Sequence, residues 1–125
     1  MRQISALLCA ALLMTGCASP LLRNSGWVAP RQAEQDLSSG ILAYEDGDYK
    51  NSARLLQSAL SAGLLLTYDK VAAHKYLAFM YCAQSQEKLC RNEFRKALEL
   101  NPRLKLTAAE SGHPAWGPVF KSLKP

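Results

Sequence analysis

The chain has 125 residues, 49% of them hydrophobic, and a formal net charge of +5. That length is enough for one small domain. Its Lys and Arg residues are scattered and are not interleaved with aromatic residues, so they read as a solvated surface and not as a nucleic-acid face.

At the N-terminus, Arg2 precedes an apolar run over residues 4–14, of signal-peptide length and too short to span a bilayer. The run ends in "MTGC" (14–17). Small residues before a Cys at the end of an apolar run resemble the bacterial lipobox, with Met14 where Leu is usual. The resemblance implies cleavage before Cys17 by signal peptidase II and acylation of Cys17. The only prosthetic group expected is therefore a covalent lipid on Cys17; no other cofactor is implied. Ala18 and Ser19 follow, and no Asp stands directly after the Cys. For lipoproteins of enteric type this implies the outer membrane, with the body of the protein facing the periplasm. Several acyl chains hold a protein firmly where one does not. Residues 1–16 thus read as a lipoprotein signal peptide. Residues 17–30 read as the lipidated Cys and a flexible tether, in which no helical or strand period holds. Trp27 and Val28 lie within it.

Residues 31–102 read as helical. The pattern breaks at "EDGDY" (45–49), "SAG" (61–63) and "AQSQE" (83–87), which predicts four helices over about 31–45, 48–62, 68–84 and 87–100. Their short connections require antiparallel neighbours. Ala53, Leu56, Ala59 and Leu60 form one apolar stripe, and Cys90, Phe94, Ala97 and Leu98 another. On the third helix, Leu77, Ala78, Met80 and Tyr81 are assigned inward and Phe79 elsewhere. The cluster Glu45, Asp46 and Asp48 suits the start of the second helix and its dipole.

The two pairs align without a gap at an offset of 38 residues, with Gly40 on Ala78, Ser52 on Cys90, Leu56 on Phe94 and Ala59 on Ala97. Small residues recur where helices must approach, and large ones where the next layer packs. "GDY" at a corner and "ALELNP" (97–102) at a helix exit closely resemble the tetratricopeptide repeat (TPR). The resemblance implies an all-α fold of two TPR-like helix-turn-helix repeats. Four residues beyond the usual period fall near "GLLLTYD", and the second copy lacks the corner Gly.

Two repeats need a cap, because each unit buries its face on a neighbour. Residues 103–125 supply one. "TAAE" (107–110) is a capping-box pattern that opens a short helical turn, and Gly112 can end it. Pro114 is expected to start a further turn. Trp116, Val119, Phe120 and Leu123 form an apolar face for the open end of the second repeat.

Once Cys9 leaves with the signal and Cys17 is acylated, Cys82 and Cys90 remain, one on each side of a helical corner. Two states stay open: a disulfide stapling the hairpin in an oxidising compartment, or two buried free thiols. No CxxC and no ligand spacing at His74 or His113 suggests a metal. No nucleophile-elbow, phosphate-loop or metalloprotease pattern is present, so no catalytic residue is assigned and the chain is read as non-enzymatic. His74 reads as a packing or surface residue, and His113, between Gly112 and Pro114, as a turn residue.

"DKVAAHKYLAFMYC" (69–82), "CRNEFRKALELNP" (90–102) and "ESGHPAWGPVF" (110–120) resemble a narrower group: small TPR lipoproteins encoded with type VI secretion systems of proteobacteria, the TssQ type. The resemblance covers roughly residues 40–120 plus the lipobox. It implies a membrane-anchored scaffold or adaptor that binds other proteins, including secretion-system components. The alternative is a pilotin-like or assembly lipoprotein of another envelope machine. A TPR lines its concave face with the first helix of each pair, which nominates Leu37, Ile41, Tyr44, Lys75 and Phe79 as the protein-binding face, with Tyr44 and Phe79 as anchors.

Overall fold

The computed structural model describes residues 30–125. The signal segment, Cys17 and the tether up to residue 29 lie outside the described residues. Four long helices form two hairpins: α1 (Gln32–Glu45) with α2 (Tyr49–Ala62), and α3 (Thr67–Ala83) with α4 (Glu87–Leu100). Two short helices follow, α5 (Ala108–Ser111) and α6 (Gly117–Leu123). No strand occurs among the described residues, and the fold is all-α.

Backbone bonds at the two hairpin corners correspond position by position at the 38-residue offset. Asp46 N–H donates to the Leu42 carbonyl and Gln84 N–H to Met80; Asp48 N–H donates to Ala43 and Gln86 N–H to Tyr81, both at 2.8 Å. Gly47 and Ser85 both take positive φ, 80° and 61°. The corner therefore needs a left-handed residue in both copies. Glycine takes that conformation freely in the first, and Ser85 bears the steric penalty in the second. Asp48 caps α2 by accepting from the Asn51 N–H.

Within the first hairpin, α1 and α2 meet at Gly40. A Cβ there would stand 2.9 Å from the Leu56 side chain, so glycine admits the close approach. Buried Ser52 donates its hydroxyl to the Gly40 carbonyl at 2.7 Å. Farther along the same interface, toward the entry end, Ser58 Oγ donates to Asp36. The hydrogen bonds from Ser58 and then Gln32 hold the Asp36 carboxyl below the ordinary carboxylate range. Cys90, at the position matching Ser52, instead forms a disulfide with Cys82, their Cα atoms 5.2 Å apart. The same place on the interface is thus tied by a polar bond in one hairpin and by a covalent bond in the other.

One core cluster joins Leu37, Leu56, Ala59, Leu77 and Met80 between the hairpins. A second gathers Ala78, Phe79, Phe94, Trp116, Val119 and Phe120 under the C-terminal segment. That segment leaves α4 through Leu104 and Leu106 and turns at α5. There Thr107 and Glu110 form the capping box expected from the sequence. The further helix does not start at Pro114, which lies in a turn. It starts at Gly117, with Pro118 in its first turn, where a missing N–H leaves no bond unmade. Gly117 cannot carry a side chain, because a Cβ would strike the Ser111 carbonyl.

Candidate functional site

Reading the first helix of each hairpin as the open face predicted exposure of Leu37, Ile41, Tyr44, Lys75 and Phe79. The structure corrects this for Leu37 and Phe79, which are 6% and 1% exposed. Phe79 is covered by Trp116, whose ring stacks on it with centroids 4.4 Å apart. It also meets Phe94 and Tyr76 edge-on. Ile41 and Tyr44 are half-buried against the cores. Burial, followed by the neighbouring Tyr49, Tyr76 and Glu110, pushes the Tyr44 hydroxyl up to about 12.

Lys75 is engaged as well. Its Nζ lies 2.7 Å from Glu110 Oε1 and 5.1 Å from the Tyr76 ring centre. Glu110 joins the cap to α3: its Oε2 accepts from the Thr107 N–H, and its backbone carbonyl accepts from Trp116 Nε1 at 2.8 Å. Burial pushes the Glu110 carboxyl up, but the bonds from Lys75 and Thr107 outweigh it and hold the group below its usual value. His113 lies flat on Trp116 at 3.4 Å, and its Nδ1 accepts from the Ala115 N–H. It serves the turn.

The second hairpin has its own polar clamp. His74 Nδ1 is 2.6 Å from Glu93 Oε2, and Lys96 Nζ is 2.8 Å from Glu93 Oε1. Desolvation raises the Glu93 carboxyl, but the bonds from His74 and Lys96 bring it below its ordinary value. Among the described residues no group of three His, Cys, Asp or Glu is placed to hold a metal ion.

An apolar groove of about 280 Å³ opens elsewhere, between the first turns of α3 and the exit of α4. Thr67, Tyr68, Val71 and Ala72 form one wall, Leu100, Asn101 and Leu104 the other, and Lys75 lies at its inner limit. The cap leaves α4 at this end and buries Trp116 and Phe120 toward the corner end, against Phe79 and Phe94. The first turns of α3 therefore have no equivalent cover. Tyr68 is 79% exposed, and Leu65 and Leu66 just before it 69% and 62%. These three have the highest exposure of any large hydrophobic residues in the described structure.

Sequence reasoning missed this site because it counted residues 63–69 only as extra spacing. The run "LLLTY" itself was the available signal: Leu64 suffices to plug the core, and the others have nothing left to cover. No protein-family model matches the chain, and neither a curated protein nor a solved structure is significantly similar to it. No helix among the described residues is long and apolar enough to cross a membrane.

Proposed function

We propose that this chain is a non-enzymatic adaptor of the bacterial envelope: a TPR-like helical scaffold, anchored through acylated Cys17 to the outer membrane and facing the periplasm, that holds a segment of another protein in the groove between α3 and α4. The observation that carries the reading is the groove itself, apolar on both walls and flanked by the strongly exposed Tyr68. A partner's apolar side chain seated there would remove Tyr68, Leu100 and Leu104 from water together, the kind of anchor that dominates protein interfaces. The sequence resemblance supports a type VI secretion system as the machinery served, and the lipobox supports the anchor.

Ala72 offers a direct test, since it lines the groove and is only half-buried. Ala72→Arg should fill the groove, leave the unfolding midpoint nearly unchanged, and remove specific proteins from those that co-purify with the chain out of solubilised envelopes. An unchanged partner set, with the substituted chain folded, would mean that the groove is not the docking site.

A further inference from the structure

The chain enters the domain at the same end that carries its most exposed apolar residues. Arg31 Nη2 donates to the Gly63 carbonyl at 2.8 Å, and the Leu65 N–H donates to Glu34 Oε1. The start of α1 is thus bonded directly to the loop that carries Leu65 and Leu66. Fourteen residues separate Cys17 from the start of α1. Such a length of chain reaches at most roughly 50 Å. An acyl anchor at Cys17 would keep this end within that distance of a bilayer, at high effective concentration.

Charge does not separate the two ends. At the entry end Arg31 pairs with Glu34, Asp69 stands beside Lys70, and Arg103 with Lys105 outnumber Glu99. At the corner end Glu45, Asp46, Asp48 and Glu87 meet Lys50, Lys88 and Arg91. An anionic lipid surface therefore opposes neither end strongly, and the strongly exposed Leu65 and Leu66 distinguish them.

We infer that Leu65 and Leu66 insert into the phospholipid surface and orient the anchored domain with its corner end pointing away from the membrane. This rests on the membrane attachment proposed above and adds an orientation to it. Two adjacent leucines on a short connection, with charges around them that nearly cancel, make an apolar tip of the kind that enters the interface region of a bilayer. The attachment of the tip is then chiefly hydrophobic and insensitive to salt. With this end down, the groove lies close to the membrane surface, so a partner segment seated in it approaches along the membrane.

The test uses the full chain in a Gram-negative envelope, with a photo-crosslinking residue at position 65, at position 66, or at Leu89. Leu89 is 44% exposed in the first turn of α4, at the corner end. Phospholipid adducts from 65 and 66, persisting after a high-salt wash, and none above background from 89 are expected. Adducts instead to another protein, or to this chain's own residues before Pro30, would overturn the inference, as would equal lipid adducts from all three sites. A chain found wholly in the soluble fraction overturns both the anchor and the orientation. A membrane-bound chain without lipid adducts at 65 and 66 overturns the orientation alone.

Discussion

The corner end and the entry end of the helical stack are built in opposite ways. At the corners each hairpin reverses through the same set of backbone bonds and a left-handed residue, and the second is locked by the Cys82–Cys90 disulfide. Trp116 and Phe120 then seal the adjoining part of α3 and α4. At the entry end, α2 passes to α3 through a loop that exposes Leu65 and Leu66, and α3 and α4 diverge around a groove. Closure of the core and display of the most exposed apolar residues thus occupy separate parts of a very small domain. Residues closing one end hold the fold, and the other end is free to display apolar surface.

The largest expected effect comes from opening the sealed end. Trp116 is 7% exposed, stacks on Phe79 and donates to the Glu110 carbonyl. Trp116→Ala should destabilise the fold by about 3 kcal/mol, since it leaves a large cavity against Phe79. Chemical denaturation measures this, and a neutral result would move Trp116 from the core to a docking role. Next comes the disulfide. Replacing Cys82 and Cys90 by Ala should cost roughly 2.5 kcal/mol in the chain-entropy model for a loop this short. Non-reducing peptide mapping of the native protein should show the linked pair, and free thiols would contradict it. The smallest effect has the opposite sign. Ser85→Gly relieves a left-handed conformation worth about 1–2 kcal/mol and adds unfolded-state entropy of about 0.5–1 kcal/mol. Stabilisation of roughly 0.5–1 kcal/mol should follow, and destabilisation would mean that the Ser85 side chain contributes more than its backbone strain.

Much of the sealed end was legible in the sequence. The apolar periodicity and the turn residues place each long helix within one residue of its observed bounds. Thr107 and Glu110 announce their capping box, and the four small residues that the 38-residue offset sets in register, Gly40 with Ala78 and Ser52 with Cys90, are all buried. Phe79 was misassigned because the stripe argument gives each helix one inner face. Helix α3 has several, packed by α1, α2, α4 and the cap, and its buried set includes Val71, Ala73, Leu77, Ala78, Phe79, Met80 and Cys82. The run "YLAFMYC" is apolar around the whole helix, which is the mark of a central helix. Lys75 does border the groove, but its pairing was not legible: its partner Glu110 lies 35 positions away, and nothing local announces the bond. The groove is harder to see in any sequence, because it depends on where the cap stops covering α3.

If recognition belongs to the entry end, as proposed, an added charge should act differently at the two ends. Ala72→Arg in the groove and Tyr49→Arg at the corner end, where Tyr49 is 40% exposed, each add one positive charge to a half-buried or exposed site. Proteins recovered with the two variants and with the unaltered chain should be quantified side by side from solubilised envelopes. Loss of specific partners from Ala72→Arg and their retention by Tyr49→Arg is the predicted result. Retention by Ala72→Arg and loss from Tyr49→Arg would contradict it and place the docking surface at the corner end.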